Sequence, residues 1–402
     1  MLSNLFAPCS LCYHNTMEGL KIEKSLSDKL KARIRERQED IRGAYYRDTT
    51  AIIHSSAFRR LKHKTQVFFS PSNDHICTRM EHVLHVASIA STICRPLGLD
   101  TELAWAIGMG HDLGHTPFGH VGERIISKLS LERGLGAFEH EVNSLRVVEF
   151  LSNNGRGLNL TYAVRDGIVS HNGEDLRKRI IPTYEIKDLD AIKSRKGLIP
   201  ATYEGAVVRF SDSIAYLGRD YEDAKRLGIL KGLELPRIVR ERLGESNSSI
   251  INTLVNDLIE GADAERGIGF SDDIFEAVSA FSEFNYKYIY RSEILNGYTR
   301  YFTRLINLIV NYLEEIYSSY ALDEKGYLSE KNMLAAGFYN HIREMQMLYI
   351  EKEGSDKRMI IDYVAGMTDN FCLDCANEIL KPERLNDEIE MSQTGKWFDA
   401  PY

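Results

Sequence analysis

Histidines and carboxylates are concentrated in one short stretch, residues 111–123, with the sequence HDLGHTPFGHVGE. Core packing alone does not require this density of ionisable side chains. The adjacent pair His111 and Asp112 can offer an imidazole nitrogen and a carboxylate oxygen to the same divalent cation, provided that the backbone turns there. The glycines and the proline of the stretch allow such a turn. We therefore interpret this stretch as the centre of a metal site.

Two further ligand candidates lie elsewhere in the chain. His82 begins the apolar stripe of a helical pattern, a position where a core histidine is the ordinary alternative to a ligand. Asp212 lies among apolar residues, and burial beside a cation is less unfavourable than burial without a partner. With His111 and Asp112 they make a set of two histidines and two carboxylates. Such a set suits one divalent ion, namely manganese, iron or magnesium, with zinc or cobalt also compatible.

The same residues suggest a class of reaction. A metal with an open coordination position polarises a phosphate oxygen and lowers the pKa of a bound water, which favours hydrolysis of a phosphoester or phosphoanhydride. His120 and Glu123 are three residues apart and form an acid and base pair on one helix face. The basic run 59–64 would suit an anionic substrate, although a solvated surface is the simpler explanation of such a run.

Helices must position these side chains. Asp100 is a plausible N-cap of a helix that ends at His111, and Pro117 with Gly119 allows a second helix to begin. Periodic apolar residues predict three more helices, which carry the remaining candidates. They cover 79–97 with His82, 138–151 with His140, and 202–227 with Asp212, Tyr216 and Asp220 on one face.

The rest of the chain indicates an all-α protein. We predict a charged surface helix from residue 27, a helix capped by Asp48 that runs to Leu61, a short strand at 65–69 and a lid at 173–200. Amphipathic helices follow up to residue 369. The expected organisation is an N-terminal arm and charged helix at 1–44, a catalytic core at 45–230, a helical region packed on that core at 231–380 and a polar tail at 381–402.

Composition narrows the setting. The chain has 402 residues and a formal net charge of −8, which argues against a general nucleic-acid coat. No apolar run reaches the length of about 18 residues that a membrane span needs, and the N-terminus lacks a signal-peptide pattern. We expect a cytoplasmic protein that contacts no membrane and keeps its cysteines reduced. Whether Met1 or Met17 is the natural start stays open.

Four cysteines form two C-x-x-C pairs, Cys9 with Cys12 and Cys372 with Cys375. Together they could bind zinc, but their separation matches no common zinc motif. The alternative is that Cys372 and Cys375 are small buried residues of a helix.

Several segments together resemble the bacterial deoxyguanosinetriphosphate triphosphohydrolases of the HD-domain superfamily. The matching segments are 58–68 (FRRLKHKTQVF), 78–82 (TRMEH), 111–123, 138–141 (FEHE), 212–216 (DSIAY) with Asp220, and 362–369 (DYVAGMTD). They occur in the order found in that family and span most of the chain. The resemblance implies a multi-helical HD-domain metal phosphohydrolase core with additional C-terminal helices.

The resemblance also implies an activity, namely cleavage of a deoxynucleoside triphosphate (dNTP) at its α-phosphorus into deoxynucleoside and inorganic tripolyphosphate. It implies that His82, His111, Asp112 and Asp212 hold the metal. Arg79 would contact the phosphate next to the metal, and His115 and His140 would contact the phosphate chain or move protons. His120, oriented by Glu123, would protonate the departing 5′-oxygen. Gln66 and Asp220 would bind the 3′-hydroxyl, and Tyr216 would pack against the deoxyribose. Members of the family are hexamers or tetramers, some with an allosteric dNTP, and weak binding of single-stranded nucleic acid is a further expectation.

Two other functions fit the same residues. One is an HD-domain phosphohydrolase that acts on another nucleotide, such as a nucleoside monophosphate or guanosine tetraphosphate. The other is a regulatory protein that binds a ligand without turnover, against which the presence of His120 and Glu123 argues. The sequence does not choose a base among the dNTPs.

Overall fold

The fold is almost entirely helical in the computed structural model, which describes residues 24–38, 40–69, 73–173, 175–349 and 355–380. The N-terminal helices are α1 Lys24–Lys31, α2 Gly43–Ile53, α3 Ser56–Arg60, α4 Arg79–Cys94, α5 Thr101–Gly110, α6 Gly119–Glu132, α7 His140–Arg146, α8 Tyr162–Val169 and α9 Tyr203–Arg226. The later helices are α10 Arg237–Arg242, α11 Asn247–Gly261, α12 Asp272–Asn285, α13 Glu293–Tyr320, α14 Glu324–Ser329, α15 Met333–Glu344, α16 Asp356–Gly366 and α17 Asp369–Leu380. The predicted all-α class is confirmed.

Helices α4, α5 and α9 pack together at the centre of the larger apolar core. A capping box of Thr78 and Glu81 begins α4. The side chain of Asp100 accepts the first amides of α5, which confirms the predicted N-cap. The two helices approach closely at Gly108, where a Cβ atom would lie 2.7 Å from the Cα of Ala87. This close contact brings the end of α5 against the middle of α4.

A second apolar core surrounds the long helix α13. Its buried stripe repeats at helical spacing and consists of Phe302, Leu305, Ile306, Ile309, Val310, Leu313 and Ile316. This stripe packs against α6, α16 and α17. Helix α6, which begins within the histidine-rich stretch, is therefore fixed by the C-terminal helices. The first core extends from Leu30 to Ile289, so the expected division of domains at residue 230 stays a prediction.

Three predicted elements before residue 70 differ in the structure. The charged helix ends at Lys31, because Arg33 turns aside to pair with Asp48 at 2.5 Å. Asp48 is buried inside α2 and also accepts the amide and hydroxyl of Thr161, so it is not an N-cap. The predicted strand at 65–69 is reduced to a single bridge between Thr65 and Thr78. In each case a contact with a distant segment replaces the local pattern.

The excursion between α8 and α9 is held at several points. Strand β1, Arg179–Ile180, pairs antiparallel with β2, Ile268–Gly269. Lys187 forms an ion pair with the buried carboxylate of Asp166.

Among the described residues, no helix is long and apolar enough to cross a membrane.

Candidate active site

A cavity of about 770 Å³ opens between the two cores. Residues of α4, α6, α9 and α12 line it, together with residues of the segment 111–118 before α6. Among the candidates from the sequence, its lining contains Gln66, Arg79, His82, Asp112, His115, His120, Glu123, His140, Asp212, Tyr216 and Asp220. The remaining candidate, His111, lies behind this wall and is completely buried.

The four metal-ligand candidates converge from three helices. His82 Nε2 on α4 lies 2.9 Å from Asp212 Oδ1 on α9. His111 Nε2, at the end of α5, lies 3.6 Å from Asp112 Oδ2 and 3.9 Å from Asp212 Oδ1. His82, His111 and Asp212 offer ligand atoms that all lie within 4.8 Å of one another. This buried group of histidines and aspartates could hold a metal ion.

The protonation state of His111 suits the binding of a cation. Its Nδ1 donates to the carbonyl oxygen of Gly108 at 2.7 Å, which leaves the lone pair on Nε2. That Nε2 atom is buried and has no hydrogen-bond partner within the described part of the chain. Burial lowers the pKa of His111 to about 4, so the imidazole is neutral at physiological pH. A buried lone pair beside two carboxylates is the arrangement that a divalent ion satisfies.

Asp112 also forms a buried ion pair. Arg79 donates to Asp112 Oδ2 at 2.5 Å, and both side chains are almost completely buried. The guanidinium further donates to the carbonyl oxygens of Thr65 and Gln66. Although burial disfavours the charged carboxylate, Arg79 and the surrounding histidines hold the pKa of Asp112 well below its usual range. Asp112 is therefore a permanent anion.

The remaining histidines form a contiguous group above this cluster. The rings of His115 and His140 stack with centroids 3.9 Å apart. Glu123 accepts from Nδ1 of His140 at 3.0 Å, whereas Nδ1 of His120 is 3.5 Å away. Burial and the nearby Arg79 lower the pKa of His115 well below its usual range. Glu123 therefore orients His140 more closely than it orients His120.

An unusual backbone conformation presents His120. Phe118, which precedes α6, has a left-handed φ of 62°, and Gly119 follows with a φ of 56°. A Cβ at Gly119 would lie 2.9 Å from the carbonyl oxygen of Gln66. Asp369, at the start of α17, accepts the amide of Phe118 at 2.9 Å and the amide of Thr65 at 3.0 Å. The C-terminal helix α17 thus holds the two segments around Thr65 and Phe118, which border the cavity.

The candidates for sugar recognition lie along one side of the cavity. Asp220 accepts from the hydroxyl of Tyr290 at 2.6 Å. Burial raises the pKa of Asp220 to about 7, and the Tyr290 hydrogen bond opposes this shift only in part. Gln66 is buried and its Oε1 has no hydrogen-bond partner among the described residues. Tyr216 is one helical turn from Asp212 and one turn from Asp220.

Three residues near the site were missed by sequence reasoning. His171 is buried, with its Nε2 atom 3.3 Å from His140 Nε2 and 4.0 Å from Asp112 Oδ1. Tyr290 and Arg195 line the cavity. His171 lies just after the end of α8 at Val169, and a histidine at a helix end was the one available signal. Tyr290 and Arg195 have no motif around them, so only the folded chain brings them to the site.

The helical fold and the buried cluster of two histidines and two aspartates define a phosphohydrolase of the HD-domain class. The HD domain matches residues 79–217, and the phosphohydrolase-associated domain matches residues 268–378. The chain is 37% identical over 355 residues to a deoxyguanosinetriphosphate triphosphohydrolase-like protein of Caldanaerobacter subterraneus subsp. tengcongensis, covering 88% of this chain and 89% of the relative. A protein of the same description from Clostridium tetani is 35% identical over 367 residues, covering 90% and 93% of the two chains. The chain therefore belongs to the deoxyguanosinetriphosphate triphosphohydrolase-like family.

Proposed function

We propose that this enzyme hydrolyses deoxynucleoside triphosphates, dGTP among them, to deoxynucleoside and inorganic tripolyphosphate. The observation that carries the proposal is that one cavity is lined by two groups of residues. One is the His and Asp cluster around Asp112, and the other consists of Gln66, Tyr216 and Asp220. An HD-domain enzyme for monophosphates would need neither both groups of residues in one cavity nor a cavity as large as about 770 Å³. The names of the relatives support the same substrate class.

In this proposal His82, His111, Asp112 and Asp212 bind one divalent ion, with manganese, iron or magnesium the best candidates for this mixture of nitrogen and oxygen ligands. When bound, the ion would polarise the α-phosphate and supply an acidified water. The residues suit that role because His111 is neutral and Asp112 is anionic. Arg79 neutralises one oxygen of Asp112 and so keeps the cluster from carrying excess negative charge.

The other residues would manage protons and phosphate oxygens. The bond between the α-phosphorus and the 5′-oxygen breaks, a water oxygen bonds to that phosphorus, and the 5′-oxygen receives a proton. His120 is the proposed donor because its side chain is 38% exposed and borders the open cavity. His115 and His140 would bind phosphate oxygens, with Glu123 fixing the His140 ring.

Sugar selection would come from Tyr216, Gln66 and Asp220. A protonated Asp220 can donate a hydrogen bond to the 3′-hydroxyl, and Gln66 Oε1 can accept one. Tyr216 would exclude a 2′-hydroxyl by contact with the sugar face. Rejection of a hydroxyl by packing requires a rigid wall, and the backbone of Tyr216 is held in the buried helix α9.

The test is a substrate panel. Purified protein with manganese is incubated with each dNTP, with GTP, with dGMP and with guanosine tetraphosphate, and the phosphate products are separated. We expect inorganic tripolyphosphate from at least one dNTP and none from GTP. Turnover of dGMP or guanosine tetraphosphate alone would favour a different HD-domain phosphohydrolase, and binding without products would reject the proposed reaction.

A further inference from the structure

The segment between α8 and α9 brings a cation to the cavity that the proposed reaction has not used. We propose that Arg195 binds the terminal phosphates of the triphosphate and so helps to select triphosphates over monophosphates. This inference rests on the proposed function, since it assigns a subsite within the same cavity. The guanidinium of Arg195 pairs with Glu141, which is not one of the proposed metal ligands, so its role can be tested separately from metal binding.

Arg195 is fixed at the edge of the histidine group. Its backbone amide donates to Glu139 Oε2 at 2.5 Å, and the hydroxyl of Ser194 donates to Glu139 Oε1 at 3.1 Å. Its guanidinium donates to Glu141 Oε1 at 2.7 Å. Glu139 and Glu141 flank His140 in the sequence, so Arg195 is attached on both sides of a proposed phosphate ligand.

The direction of the bound nucleotide follows from the cavity. Tyr216 lies one helical turn from Asp212, and His82 contacts Asp212 and lies near Asp112. On the other side of Asp112, His115 approaches its carboxylate and stacks on His140. A nucleotide with its sugar against Tyr216 and its α-phosphate at the cluster would extend its β- and γ-phosphates toward His140. Arg195 lines the cavity at that end and is the one residue of the excursion's second half that does so.

Charge supports the same assignment. A triphosphate carries several negative charges, but the Arg79 guanidinium is already paired with Asp112. Glu123, Glu139 and Glu141 add negative charge at the His140 end. The side chain of Arg195 is 30% exposed, whereas Glu141 is fully buried. The guanidinium therefore borders the cavity while Glu141 anchors it, and its planar group of donors suits bidentate binding of phosphate.

The experiment measures binding of inorganic tripolyphosphate and of dGMP by calorimetry in the presence of manganese. Arg195→Ala should weaken binding of tripolyphosphate by about 10-fold to 100-fold, which corresponds to loss of a charged hydrogen bond. Binding of dGMP should stay within about 2-fold, because dGMP has no terminal phosphates. In turnover assays KM for dGTP should rise more than kcat falls. The matched control is Lys196→Ala at the adjacent exposed position. It should change neither the affinity for tripolyphosphate nor KM for dGTP.

Glu141→Gln separates phosphate binding from a purely structural role. It removes the ion pair but leaves the Arg195 guanidinium, so tripolyphosphate should bind at least as tightly as to the unmodified protein. An equal loss in Glu141→Gln and Arg195→Ala, or an equal loss for dGMP and tripolyphosphate, would overturn the proposal. If the unmodified enzyme hydrolyses no dNTP, the proposed function fails, whereas the tripolyphosphate measurements still decide the role of Arg195. Far-UV circular dichroism checks that each variant is folded.

Discussion

His111 and Asp112 are adjacent in the sequence but lie in different electrostatic environments. His111 is neutral, with a buried lone pair on Nε2, while Asp112 is a permanent anion that is balanced by Arg79. The two other ligand candidates, His82 and Asp212, already contact each other at 2.9 Å. A variant of Asp212 therefore tests the metal site more cleanly than one of Asp112, whose loss would leave a buried arginine unpaired.

Asp212→Asn should lower the metal content by at least about 10-fold and abolish turnover, because an amide is a weaker ligand than a carboxylate. The shape of the side chain is kept, so the helical circular dichroism signal should not change. Metal content is measured by mass spectrometry of the dialysed protein. The control is Asp223→Asn, which should leave the metal content unchanged. Asp223 lies on the same helix and accepts the amide of Cys77. Full metal occupancy in Asp212→Asn would reject this ligand.

Tyr216→Ala should relax discrimination against ribonucleotides. Removal of the ring opens space beside the proposed sugar position, and the dGTP to GTP ratio of kcat/KM should fall by about 10-fold to 100-fold. Tyr46→Ala, at an exposed position of α2 outside the cavity lining, is the control and should leave the ratio unchanged. An unaltered ratio in Tyr216→Ala would mean that another residue excludes the 2′-hydroxyl.

The pKa of Asp220, raised by burial to about 7, predicts a pH dependence of stability. Between its unfolded value near 3.8 and about 7, the folded protein retains a proton that the unfolded chain has lost. The free energy of unfolding should therefore fall as pH rises through this window and level off above it. Relative to Asp220→Asn, the loss between pH 5 and pH 8 should be on the order of 2 kcal/mol, measured by urea unfolding. The opposite sign would show that Asp220 is ionised in the fold.

At the scale of elements, the C-terminal helices support the catalytic stretch. Asp369 at the start of α17 accepts backbone amides from Thr65 and Phe118, and Lys64 donates to the carbonyl oxygens of His115 and Ala365. Lys64 and Asp369 are both buried. The stretch before α6 is therefore held by hydrogen bonds between segments about 250 to 300 residues apart.

Asp369→Ala should reduce kcat by about 10-fold or more, because small displacements of catalytic groups have large effects on rate. It should also lower the free energy of unfolding by about 1–3 kcal/mol, since buried amides lose their acceptor. Metal content should stay unchanged. The control is Asp374→Ala on the exposed side of the same helix. Unchanged kinetics in Asp369→Ala would show that the stretch keeps its conformation without α17.

At the scale of the whole molecule, helix α13 exposes several large apolar side chains. Ile294, Tyr298 and Tyr301 are 52%, 41% and 51% exposed. Such side chains on one helix are consistent with contact between subunits. The cytoplasmic location and a second, allosteric dNTP site remain predictions from the sequence.

We predict that the protein is a tetramer or hexamer of its 45.8 kDa chain. Light scattering coupled to size exclusion should give a mass of four or six chains, with dGTP and manganese shifting smaller species toward the larger one. Tyr301→Asp should shift the distribution toward single chains, because it buries a charge in any interface formed there. A constant mass of one chain with and without nucleotide would contradict the prediction.

Local patterns determined much of this protein. The spacing of apolar residues predicted α4, α5, α6 and α9, and the caps at Thr78 and Asp100 depend on neighbours within a few residues. These helices form close to the predicted positions, although α4 ends at Cys94 rather than Leu97, and they bring His82, His111, Asp112 and Asp212 within reach of one another. The C-terminal pair Cys372 and Cys375 is buried on α17, whereas Cys9 and Cys12 lie outside the described residues, so the zinc question stays open.

Only the tertiary structure decided the rest, because those contacts join residues that are far apart in the chain. Asp48 matches an N-cap by type, yet pairing with Arg33 and Thr161 buries it in the middle of a helix. His171 and Arg195 reach the cavity through the path of the chain between α7 and α9, which no periodicity encodes. A local motif can specify which helix face a ligand occupies, but the packing of distant segments determines what completes the site around it.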